Sequence, residues 1–143
     1  MPRRWVVGLI LVCIVLNGAG FLWHLFEPIP LYDEIAHFLT PFVLVAVVAE
    51  IIYRNGGDDE FFDTPRHAVA TGAVIGLLGA GGWEVVEILL AWMGMSIYNA
   101  LPDTIFDVVL GVLGGAAGAY AADRFLDRLF NRSRTDSSRP RVR

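Results

Sequence analysis

Three short stretches of this 143-residue chain set acids and a histidine at helical spacing: YDEIAHF (Tyr32 to Phe38), WEVVE (Trp83 to Glu87) and DTIFD (Asp103 to Asp107). Asp33 with His37 and Asp103 with Asp107 are i,i+4 pairs, and Glu84 with Glu87 is an i,i+3 pair, so each pair shares one helix face. Oxygen-rich sites with an imidazole suit divalent ions such as Mg, Mn or Zn, and helical bundles build metal sites from carboxylates and histidines on facing helices. His37, Glu84, Glu87 and Asp107 are therefore the expected metal ligands, with Asp33 and Asp103 expected to handle a proton. A nucleotide or organic cofactor is not expected. The glycine-rich GLLGAGGW lacks the preceding strand and turn that a phosphate-cradling loop needs. Cys13 is the sole cysteine, which excludes a disulfide framework and Cys/His zinc spacing and leaves it as a small apolar residue.

The surroundings of these acids matter more than the net charge of −4. Hydrophobic residues make up 55% of the chain and mean hydropathy is +0.55, above the usual globular range of about 45–50% apolar. Four nearly uncharged windows, 5–26, 35–53, 68–92 and 104–122, each hold 19 or more residues. A helix needs roughly 20 residues to cross a hydrocarbon core of about 30 Å. An all-α, polytopic membrane protein with four transmembrane helices follows, and the two-residue alternation of a membrane barrel is absent. Residues 1–122 are expected to form a single four-helix transmembrane domain, and 123–143 a basic tail.

Orientation follows from the basic residues, all 11 of which are arginines. With four spans, the N-terminus, the loop between spans two and three and the C-terminal tail share one face, and every arginine falls there. The opposite loops, 27–34 and 93–103, have none, so the positive-inside rule places both termini in the cytoplasm of a multi-pass cell-membrane protein. A cleaved signal peptide is the rival reading of the N-terminus. The apolar run continues through FLWHLF past Gly18 and Gly20, longer than the 7–15 residues of a signal core, so the segment is expected to stay as span one. Thr64-Pro65 has the form of a helix start, a cap residue followed by proline. In the tail, Phe125, Leu126, Leu129 and Phe130 recur at helical spacing among seven arginines and three aspartates, which predicts an amphipathic stretch and then disorder after Ser133. Its balance of +4 predicts attraction to anionic lipid headgroups; nucleic acid is not an expected partner.

These spans give each polar residue a depth. Asp33, Glu34, His37, Glu84, Glu87, Asp103 and Asp107 all fall within roughly the outer third of the bilayer or its edge. Seven carboxylates, counting Glu27, meet no arginine or lysine there, and only His24 and His37 offer positive charge. Acids crowded in low dielectric must take up protons, recruit a cation or keep contact with water. Plainer readings exist for some of them. His24, Glu27 and Glu34 suit a wet interface, Asp103 a helix cap, and Glu50 snorkelling to the cytoplasmic face. Asn17 is expected to bond a neighbouring helix, and Trp5, Trp23 and Trp92 to form the aromatic belt; Trp83, deeper, suits a helix interface. Glycines four apart in spans three and four predict close helix packing and give a route to oligomers.

The order and common depth of YDEIAHF, WEVVE and DTIFD, before a glycine-rich last helix, resemble the YjdF-like family of small integral membrane proteins and, more distantly, VanZ-like proteins. The resemblance covers Tyr32 to about Ala119 and points to Asp33, His37, Glu84, Glu87, Asp103 and Asp107; neither family brings a settled reaction. The functional expectation is a metal-dependent hydrolase or transferase acting on a lipid-linked group. Ser96 is the only serine outside the tail, so a serine nucleophile is not the first choice. The alternatives are a proton or cation pathway or transporter, and a structural or accessory membrane partner.

Overall fold

In the computed structural model, which describes residues 3–26, 28–54, 64–94 and 100–123, the chain forms four helices: α1 (Arg3–Trp23), α2 (Tyr32–Arg54), α3 (Pro65–Trp92) and α4 (Leu101–Ala121). All four are long and apolar enough to cross a membrane. The loop residues 55–63 and the tail from 124 onward, for which the sequence predicts an amphipathic stretch and then disorder, lie outside the described residues.

The distribution of side chains is that of a bundle bathed in hydrocarbon. Large apolar residues face outward, with Val15 65% and Leu78 70% exposed, while four of the inward-facing side chains are ionisable: His37, Glu84, Glu87 and Asp107. In water such a surface would drive association; in lipid it faces its own solvent, and the cost of a charge there turns the acids inward.

Glycine decides how the helices pack. α4 lies between α2 and α3, and two glycine rows explain why. Gly111 and Gly115 meet the α3 backbone at Gly76 and Gly72, whereas Gly114 and Gly118 lie against the Phe38 and Phe42 carbonyls of α2. A methyl group at any of these positions would strike backbone or a neighbouring Cβ, so close approach is what requires glycine here. Gly79, Gly81 and Gly82 differ: a Cβ there would meet nothing within 4 Å. Among the described residues, then, these three take no part in the close helix packing expected of them.

α1 sits apart. It packs against α2, where Cys13 is buried with Val43 and Val47, and no described Cα of α1 comes within 8 Å of one in α3 or α4. Its helix ends at Trp23, three residues before the apolar window does. His24 then takes a left-handed φ of 51°, the Leu25 amide donates back to the Gly20 carbonyl, and the Phe26 ring folds over Gly20. Leu31, at φ 65°, makes the second left-handed step before α2. Each such residue costs of order 1–3 kcal/mol unless its surroundings hold it. Here the Tyr32 hydroxyl donates to the Leu16 carbonyl at 2.6 Å, and the Phe26 and Tyr32 rings meet edge to face at 5.5 Å.

At the other turn, Thr64 Oγ1 accepts from the His67 amide at 3.2 Å with Pro65 opening the helix, as the sequence predicts. Asp103 does not cap α4. Ala100 holds the cap position and Pro102 and Asp103 occupy the first turn, because two extra residues become helical ahead of Asp103.

Candidate functional site

Because α2 begins at Tyr32, all of YDEIAHF is helical, and Asp33 stands one turn above His37. His37 Nε2 lies 3.4 Å from Asp33 Oδ1 and 4.0 Å from Asp107 Oδ2. One donor atom from each of the three residues falls within 4.8 Å of the other two. Asp107 reaches this point through the glycine rows: it precedes Gly111 by four residues and Gly114 by seven, so it lies where the two packed faces of α4 meet. That position leaves it 1% exposed.

Burial and bonding are mismatched. Asp107 Oδ2 and Glu84 Oε1 are both buried without a hydrogen-bond partner, although Glu84 is only 5% exposed. An unpaired buried polar atom costs about 1–3 kcal/mol, more if charged, and calls for an explanation. No cationic side chain is available in the neighbouring sequence, since neither arginine nor lysine occurs between Arg4 and Arg54 or between Arg66 and Arg124. Glu87, 8% exposed, accepts a hydrogen bond from Trp83 Nε1 at 2.8 Å. Asp107 lies within electrostatic range of Asp33, Asp103 and Glu84 as well as His37.

The six residues singled out from sequence therefore divide. Asp33, His37 and Asp107 form the compact group, drawn from α2 and α4. Glu84 and Glu87 turn inward from α3 but stand outside it, and Asp103 is exposed on the first turn of α4. Asp33, expected to handle a proton, thus stands beside His37 and Asp107, whereas Glu84 and Glu87, expected there as ligands, lie outside the compact group. Side-chain direction across helices made the difference, and a one-dimensional depth estimate does not contain it. Glu27 lies outside the described residues.

Four uncharged residues contribute as well: Asn17, Thr40, Pro41 and Trp83. Asn17 Nδ2 donates both to the Cys13 carbonyl and to Thr40 Oγ1, each at 2.9 Å, which ties α1 to α2 as expected of Asn17; its partner Thr40 had no signal of its own. Pro41 has no N–H to offer the His37 carbonyl four residues back, which frees that oxygen from the usual helical bond. A proline four residues after a candidate ligand is a signal that sequence reading can use. Trp83 bonds Glu87 and meets Phe21 of α1 edge to face at 5.7 Å, so it joins the acids of α3 to the peripheral helix.

Below His37 lies a cavity of about 360 Å³ between α1, α2 and α3. Its walls are apolar apart from Asn17, Thr40 and His37 near one end.

Compared with known proteins, the chain matches no curated protein and no solved structure. Residues 2–128, which take in all four helices and all three acidic stretches, match a family described as predicted membrane protein (DUF2238). Four helices long and apolar enough to cross a membrane agree with that description, and the chain belongs to the DUF2238 family of predicted membrane proteins.

Proposed function

We propose that this protein holds a divalent cation between Asp33, His37 and Asp107, at the membrane face away from the cytoplasm, and acts there on a lipid-linked phosphate or ester. The observation that carries the reading is the Asp107 carboxylate, 1% exposed, with Oδ2 lacking a hydrogen-bond partner and aimed at a histidine and a second acid. A metal ion supplies the missing partner. Two ligands about 2.1 Å from a tetrahedral ion stand about 3.4 Å apart. The Asp33–His37 separation of 3.4 Å fits this, and the 4.0 Å to Asp107 has roughly half an ångström to close. Glu84, with its own unpartnered oxygen, is the candidate fourth donor, and Glu87 is held beside it by Trp83.

A divalent ion here would polarise the substrate ester and make bound water a better nucleophile. The protein's own acids divide the proton work by exposure. Asp33 would hold the ion through Oδ1, and its second oxygen, on a side chain 26% exposed, would take the proton from water as the water oxygen bonds to phosphorus or the carbonyl carbon. The ester bond breaks, and the leaving alcohol takes a proton relayed from solvent through Asp103. The arginine asymmetry supports the outward orientation, and the YjdF-like likeness of the three stretches supports treating them as one site. The more distant VanZ-like likeness supplies no reaction. A proton or cation pathway is less well supported, because the cavity beneath His37 has apolar walls instead of a polar relay.

Metal analysis of the full chain, purified without chelator, tests this. The reading expects one divalent ion per chain, with Asp107→Asn retaining less than a tenth of it and losing hydrolysis of lipid-linked esters. Background metal in the wild type, or unchanged metal in Asp107→Asn, would overturn it. Ion flux in liposomes without hydrolysis would replace it with the pathway reading.

A further inference from the structure

We infer that the cavity between α1, α2 and α3 is a seat for one acyl chain of a bilayer glycerophospholipid, entered sideways from the membrane and ending at His37. Its wall on α2 runs from Ala36 to Val45, nine residue steps or about 14 Å along the helix axis. It opens laterally, since Leu44 is 48% exposed and Gly79 on α3 is exposed with nothing within 4 Å of where a Cβ would stand. At this depth between two spanning helices, the medium at the opening is hydrocarbon.

The surroundings select the occupant. The opening lies between two spanning helices, where hydrocarbon chains are the molecules at hand. Water is disfavoured by the apolar walls, and the polar atoms of Asn17 and Thr40 already bond each other. A flexible chain fits both shape and chemistry, and the bilayer supplies acyl chains at the opening. The absent side chain at Gly79 keeps the entrance clear, which gives this glycine the purpose that helix packing does not. Because the slot ends at His37, a seated chain would bring the polar end of its lipid toward Asp33 and Asp107; that last link rests on the proposed function, whereas occupancy of the slot does not.

The test uses the full chain in vesicles of phosphatidylethanolamine and phosphatidylglycerol, with a phosphatidylglycerol probe carrying a diazirine midway along one chain. After irradiation, adducts are mapped by mass spectrometry. Adducts concentrated at Leu44, Ile75 and Ala80, at least fivefold above the outward-facing Leu78 and Val15, are expected. Gly79→Phe, at a position where an added Cβ meets nothing within 4 Å, fills the entrance and is expected to remove that excess while leaving Leu78 adducts unchanged. Leu44→Trp, at the opposite lip, should do the same and serves if Gly79→Phe fails to fold. Asp107→Asn should retain the excess, so a failed metal site and an empty slot are told apart. Adducts spread evenly over all exposed apolar positions, an excess insensitive to both blocking variants, or chain-to-chain crosslinks at Leu44 would each overturn the inference.

Discussion

The Asp107 side chain concentrates the energetic problem of this molecule: a carboxyl group sealed among helices, with one oxygen lacking a hydrogen-bond donor. Glu87, by contrast, is supported by the Trp83 indole, and that difference can be measured. Trp83→Phe keeps a ring against Phe21 but removes the N–H, leaving Glu87 short of one donor. It should lower unfolding stability in detergent by about 1–3 kcal/mol. A thermal or denaturant midpoint unchanged from wild type would show that the bond contributes nothing. The types and spacings of Asp33, His37 and Asp107 were legible in the sequence because helical periodicity fixes who shares a face. Which acids converge across helices was not legible. Glu84 and Asp33 are equally plausible by depth, and only the three-dimensional placement of α2 and α3 around α4 separates them.

Among the elements, α4 is the one that positions the site, through glycines that serve two neighbours at once. The sequence shows glycine in excess but cannot say which glycines touch. Gly115 meets α3 backbone, whereas Gly81, in the same kind of run, meets nothing. Gly115→Ala should therefore force the helices apart and cost about 1–3 kcal/mol, the usual penalty of overpacking. Gly81→Ala, with open space and better helix propensity, should leave stability unchanged or raise it by up to about 1 kcal/mol. Equal effects of the two variants on unfolding in detergent would contradict the packing described. The position of α1 was also hidden from sequence. Its hydropathy marks it as a span, but its attachment by Asn17–Thr40, Tyr32–Leu16 and the Phe21–Trp83 contact depends on side chains far apart in the chain.

At the scale of the whole molecule, four spans could be read directly from hydropathy, since hydrocarbon demands long apolar helices and leaves few other choices. Orientation rests on the arginines and is open to direct test. Cys13, the single native cysteine, is buried, so labelling background is low. In intact cells Ser96→Cys should react with an impermeant maleimide, and Ser137→Cys only after permeabilisation. The reverse pattern would place the acidic layer in the cytoplasm. The central claim is that one histidine and the acids facing it hold a metal ion inside the bundle. Pulsed EPR of the Mn²⁺-loaded full chain addresses it most directly, because a bound imidazole imprints its nitrogen coupling on the manganese signal. The account predicts coupling to a single histidine nitrogen that disappears in His37→Gln. Tightly bound manganese without nitrogen coupling, or coupling that survives in His37→Gln, would contradict it.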